Sequence, residues 1–124
     1  MEEINRLTNE VLKCAFEVHT QLGTGLLKSM YEACLYYELN EHGFFVERQK
    51  MLPIHDKEVL LDASYRIDLL IENKLIIEQK SAEQLLPVHQ AQVLTYMKLS
   101  KIKYGLLLNF NVPSLRYGIK RFVL

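Results

Sequence analysis

At Gly43 the spacing of apolar residues changes, and that change constrains the fold more than any other feature of the chain. Before it, Ile4, Leu7, Val11, Ala15, Val18 and Leu22 recur at intervals of three and four, one stripe of an amphipathic helix. Gly23-Thr24-Gly25 breaks that stripe, and a second helical run follows from Leu26 to His42, with Gly43 placed as its C-terminal cap. After Gly43 the runs FFVERQKMLPI, EVLLDASYRIDLLI and LIIEQK have extended character and are separated by the turn-prone segments HDK and ENK. Three consecutive antiparallel strands are expected. Pro87 suits the first turn of a helix carrying VHQAQVLTYMKLS, YGLLLNF suits a strand covered on both faces, and YGIKRFVL closes the chain as one more strand. The order is α-α-β-β-β-α-β-β, an α/β fold with a mixed central sheet flanked by helices.

At 124 residues the chain is read as one domain, residues 1–124, able to bury a core without disulfide or metal. Cys14 and Cys34 lie in helical patterns without CxxC spacing and read as buried, reduced thiols. No apolar span is long enough for a membrane, and MEEINRLTNEVLK lacks the features of a signal peptide, so a cytoplasmic protein is expected. The formal net charge of zero argues against a non-selective polyanion binder. The charge is nevertheless uneven. Residues 84–124 carry Lys98, Lys101, Lys103, Arg116, Lys120 and Arg121 and no acid, which reads either as a solvated surface or as a patch that meets nucleic acid.

The stretch YRIDLLIENKLIIEQK sets Asp68, Glu78 and Lys80 among residues that otherwise belong in a core. Isolated ions are seldom buried, because leaving water costs more than one strand's packing returns. Glu78 and Lys80, two apart, share a strand face, and a hairpin about Glu72-Asn73-Lys74 brings Asp68 close to Glu78 if the register allows. Two facing carboxylates are best relieved by a divalent cation, with Lys80 beside them for a phosphate. The alternative is an ion pair of Asp68 with Arg66 or Lys80 at a strand end.

Asp68 followed by Glu78-Gln79-Lys80 resembles the D…(D/E)xK signature of the PD-(D/E)XK nuclease superfamily, and Gln92-Val93-Leu94-Thr95-Tyr96 resembles the QxxxY element of its exonuclease-like branch. That resemblance implies a restriction-endonuclease-like core, α-β-β-β-α-β, here with an extra N-terminal helix and a C-terminal strand. A narrower likeness covers nearly the whole chain. Val18-His19, Leu22-Gly23-Thr24-Gly25-Leu26-Leu27-Lys28-Ser29-Met30-Tyr31-Glu32, Pro87-Val88-His89-Gln90-Ala91-Gln92 and Gly105-Leu106-Leu107-Leu108-Asn109-Phe110 resemble the small bacterial GxxExxY family. Lys28 stands where that motif asks for Glu, a reversal of charge.

The resemblance implies a metal-dependent nuclease cleaving phosphodiester bonds. Asp68, Glu78 and the backbone carbonyl of Gln79 would bind Mg2+ or Mn2+, and Glu32 would complete the site directly or through water. Lys80 would assist the attacking water. Gln92 and Tyr96, with His89 on the same helical stripe and His19, would support the site or contact substrate; His19 and His89 also read as ordinary hydrogen-bonded histidines. Lys28 and Glu32, four apart, are spaced for a helical pair that would either hold Glu32 or compete with the metal for it. Nucleic acid, DNA first, is the expected partner, and a homodimer the expected assembly. Two rivals stand beside this reading: a nuclease-fold module that binds nucleic acid or a protein without cutting, and an interaction protein whose charges form only an ion-pair network.

Overall fold

The computed structural model describes the backbone of residues 1–56 and 59–124 and the side chains outside 53–64. Two helices, α1 (Glu2–Leu22) and α2 (Lys28–Glu41), precede three strands, β1 (Val46–Asp56), β2 (Val59–Ile71) and β3 (Leu75–Lys80). Helix α3 (Pro87–Ser100), β4 (Tyr104–Asn109), a 3-10 turn at Leu115–Gly118 and β5 (Ile119–Val123) complete the chain. The expected order is therefore observed, and the 3-10 turn is an addition to it that shortens the last strand. The turn expected at HDK falls partly outside the described residues.

The sheet runs β1-β2-β3-β4-β5, antiparallel except for β3 with β4. The parallel pair follows from α3, because a crossover helix returns the chain to start β4 beside the start of β3, Tyr104 against Leu75. Helices α1 and α2 cover one face, where Val11, Ala15, Leu35 and Leu39 meet Leu69, Ile77, Leu106 and Leu108. Helix α3 covers the other, where Val93, Tyr96 and Met97 meet Leu70, Ile76 and Leu107. Alternate residues of β4 serve the two cores, which is why YGLLLNF is almost wholly apolar. Gly105 allows α3 to lie this close: a Cβ there would stand 2.9 Å from the Met97 sulfur. Among the described residues no helix is long and apolar enough to cross a membrane.

Local chemistry explains the joints. Glu72 and Asn73, at φ 54° and 55°, make the tight β2–β3 turn, and Lys74 N donates to Ile71 O at 2.9 Å. Glutamate is unusual in that left-handed backbone, but its carboxylate accepts from Phe45 N at 2.6 Å while its own N–H donates to Phe45 O. Phe44 N donates to Leu39 O beyond Gly43 (φ 83°), closing α2 as expected. Tyr31 is fully buried and Tyr36 partly so, whereas Tyr37 is exposed because it lies outside the stripe of Tyr31, Leu35 and Leu39.

Candidate functional site

The pairing of β2 with β3 runs through Ile71 with Leu75, Leu70 with Ile76 and Leu69 with Ile77, and stops there. The next positions are Asp68 and Glu78. Asp68 N donates to Glu78 Oε1 at 2.9 Å, and Gln79 N donates to Asp68 Oδ2 at 2.8 Å. The two carboxylates thus accept the N–H groups that a continued ladder would have paired, and both are buried, at 3% and 1% exposure. The strands part because the alternation of faces breaks at Asp68: Ile67 packs on the α3 side and Leu69 on the α1–α2 side, although they are two apart. Gln49, next to Arg48 and Lys50, which pair with Leu69 and Ile67, has φ 51°, so the neighbouring strand is distorted at the same level.

Two buried carboxylates in this proximity cannot both hold full charge unaided. Burial, and then the nearby Asp68, push Glu78 up to about 8, against the opposing pull of the Asp68 N–H, Lys28 and Lys80. One positive charge comes from an unexpected quarter. Lys28, in the first turn of α2, sets its Nζ 3.0 Å from each Asp68 carboxylate oxygen. Burial works to lower the Lys28 ammonium, but Asp68, Glu78 and Glu32 together outweigh it and raise it.

The expected Lys28–Glu32 helical pair is therefore replaced. Lys28 reaches forward to the deeper carboxylate, and Glu32 accepts from Arg48 Nε at 2.9 Å and Gln49 Nε2 at 2.6 Å. Gln49 Nε2 also lies 3.3 Å from Asp68 Oδ1, so one amide joins Glu32 to Asp68. Nor does Asp68 pair with Lys80 or Arg66 among the described residues; its cation is Lys28.

Lys80 is held from the helix. Its Nζ donates to Gln92 Oε1 at 2.9 Å, and Gln92 Nε2 donates to the Tyr96 hydroxyl at 2.9 Å. Burial, and then the charge of Glu78, raise the Tyr96 phenol, which keeps its proton at neutral pH. His89 accepts from Leu86 N at its Nδ1, 3.0 Å away, which caps α3. With Tyr65, Lys80, Gln92 and Tyr96 it borders a groove of about 500 Å³, which Lys80 links to the strand that carries Glu78. A larger groove, about 720 Å³, lies along α1 and contains none of these residues.

His19 lies apart from them. Its Nε2 is 3.1 Å from Phe110 O and 2.9 Å from Val112 O, two acceptors that require the proton on that nitrogen. It ties the end of α1 to the chain after β4. Several other motif residues do similar work: the Tyr31 hydroxyl donates to Gly23 O at 2.6 Å, Gly25 N donates to Asn111 Oδ1, and Asn109 bridges to Ala82 through both its amide atoms. Those of Tyr31 and Gly25 fix the loop that leads into Lys28 at the start of α2.

Three cations of the C-terminal segment, Lys101, Lys103 and Arg121, lie away from this site. Lys101 and Lys103 line a groove with Lys74 where β3 and β4 begin, while Lys80 stands at their other end, about 17 Å away at ~3.3 Å per residue. Arg121 lies against α1. Arg48 and Gln49 were not among the expected site residues; no motif marks them, and their role depends on a distorted strand.

The donor set at Asp68 and Glu78 is all oxygen, from two buried carboxylates that meet through each other's strand, a combination suited to a hard divalent cation rather than a soft one. Neither curated proteins nor solved structures gave a match. Comparison with protein families matches the PD-(D/E)XK nuclease superfamily across residues 5–122, including every strand and helix that forms the site. With that match spanning almost the whole sequence, the chain belongs to the PD-(D/E)XK nuclease superfamily.

Proposed function

We propose that this chain is a divalent-metal-dependent nuclease of the GxxExxY group, hydrolysing phosphodiester bonds in nucleic acid, DNA first, in the cytoplasm. The observation that carries the reading is the meeting of Asp68 and Glu78 where β2 and β3 part, with Lys80 held beside them by Gln92. Asp68, Glu78 and the Gln79 carbonyl would hold Mg2+ or Mn2+, with Glu32 acting through Gln49. Such an ion, when bound, lowers the pKa of water and offsets phosphate charge.

The chain's own groups do the rest. Lys80 presents a fixed ammonium toward the groove, where it orients the attacking water and stabilises charge developing on phosphate. Gln92 holds that ammonium through its carbonyl and is itself held by Tyr96, so the cation costs little reorganisation during reaction. His89 and Tyr65 offer a polar and an aromatic wall for a nucleic-acid backbone and base. A homodimer would enlarge this small surface, and light scattering that returned a mass near 14.5 kDa would refute it.

One observation favours a second reading, a module that binds nucleic acid without cutting: the Lys28 ammonium already neutralises Asp68. Calorimetric titration of Mn2+ into the wild type, Asp68→Asn and Lys28→Gln separates the two. Binding near one ion per chain that Asp68→Asn abolishes supports the nuclease. Silence in the wild type with binding in Lys28→Gln supports the non-cutting module. Silence in all three removes the metal site from both.

A further inference from the structure

We propose that Cys14, Glu38 and His42 form a second metal site, separate from Asp68 and Glu78, for a borderline-soft divalent ion such as Zn2+. The Cys14 sulfur, a Glu38 carboxylate oxygen and a His42 ring nitrogen all lie within 4.8 Å of one another. Glu38 and His42 are four apart on the last turn of α2, so their side chains lie over one another, and they do so where α2 meets Cys14 in the middle of α1. The sequence conceals this group, because no local spacing links a residue in α1 to two at the end of α2.

The chemistry selects the ion. Thiolate, imidazole and a single carboxylate are the donors of zinc sites and poor donors for Mg2+. Bonds of about 2.0–2.3 Å in a tetrahedron call for ligand atoms about 3.3–3.8 Å apart. The cluster must therefore contract by about 1 Å, and the two residues that would move are the ones free to do so. Glu38 and His42 have side chains 30% and 49% exposed, whereas Cys14 is fixed at 1%. His42 Nδ1 stands 2.9 Å from the Glu38 backbone carbonyl and 3.6 Å from Glu38 Oε2; with its proton on Nδ1 toward the carbonyl, Nε2 keeps the lone pair, and the exposed ring would turn to bring it to the ion. That bond is the usual orienting partner of a metal-binding imidazole. Water would fill the fourth position on the exposed side.

The site is distinct from the acidic one. Lys28, which touches Asp68, begins α2, and Glu38 and His42 end it, about 15 Å away at ~1.5 Å per residue. An ion there would tie the middle of α1 to the end of α2.

Co2+ titration of the reduced full-length chain tests this directly, since a thiolate ligand gives cobalt a charge-transfer band in the near ultraviolet that oxygen ligands do not. The expected result is one thiolate-bound Co2+ per chain, counted from that band and separate from any Co2+ held at Asp68 and Glu78, with the band displaced by Zn2+ and unchanged in Asp68→Asn and in Cys34→Ser. Cys14→Ser should abolish the band. His42→Gln, at an exposed position that leaves the core intact, should weaken binding at least about tenfold, since even an outer-shell partner is worth that much. A missing band in the wild type, a band that persists in Cys14→Ser or vanishes in Cys34→Ser, or full affinity in His42→Gln would each overturn the proposal.

Discussion

Glu78→Gln isolates the electrostatic condition of the acidic pair. The substitution keeps a side-chain oxygen that can accept the 2.9 Å bond from Asp68 N and removes only the ionisable proton. In the unfolded chain Glu78 ionises at its ordinary value of 4.5, whereas burial and Asp68 hold it up to about 8 in the fold. Between those values the folded state binds more protons than the unfolded state, so rising pH favours unfolding. The contribution of Glu78 to stability is therefore fully present below pH 4.5 and is lost as pH rises through about 8. At 1.36 kcal/mol per pKa unit the loss has a ceiling of about 5 kcal/mol, a large share of the stability of a domain this size. Equilibrium urea unfolding of both proteins, free of metal in chelator, from pH 5 to 9 reads it out. The stability of Glu78→Gln relative to the wild type should climb by several kcal/mol across that range. Parallel curves would refute the reasoning, showing that Lys28 and Lys80 fully support a charged Glu78.

Three further outcomes follow from the same contacts. Gln92→Leu should release Lys80 and lower kcat for nucleic-acid cleavage by about tenfold to a hundredfold while leaving Mn2+ affinity within about twofold, because Gln92 acts on the ammonium and not on the carboxylates. Gln79→Met should raise stability by about 1–3 kcal/mol in urea unfolding, since the Gln79 amide is wholly buried with no hydrogen-bond partner among the described residues. His19→Ala should cost about 2–3 kcal/mol by the same assay, because it leaves two carbonyls, those of Phe110 and Val112, without their donor.

Much of the fold was legible because each element announces itself locally. The stripe of Ile4 to Leu22, the Gly43 stop, Pro87 at the head of α3 and the apolar β4 run are each written in one contiguous segment. The approach of Asp68 to Glu78 was also readable, since a tight turn at Glu72-Asn73 leaves the two residues facing. What escaped depends on contacts between distant segments. Lys28 has two acidic options, Glu32 at helical spacing and Asp68 forty residues on, and nothing local says that the loop bonds of Tyr31 and Gly25 aim it at the second. Gln49 enters the site only because its backbone leaves the extended region, an event that no strand pattern encodes. The cationic C-terminal segment reads as one patch in sequence, but the parallel crossover sends Lys101 and Lys103 to the far end of the sheet.

The parting of β2 and β3 also gives the molecule two resident spectroscopic probes. The amide protons of Asp68 and Gln79 point at carboxylate oxygens rather than at neighbouring carbonyls. Their chemical shifts and solvent-exchange rates accordingly follow the charge and position of Glu78 and Asp68, while the amides of Leu69 to Ile77 follow the hairpin. Proton loss at Glu78, arrival of a cation or departure of Lys28 would each move the first pair and leave the second still. The state of the acidic centre can thus be watched in the intact protein before any substrate is known.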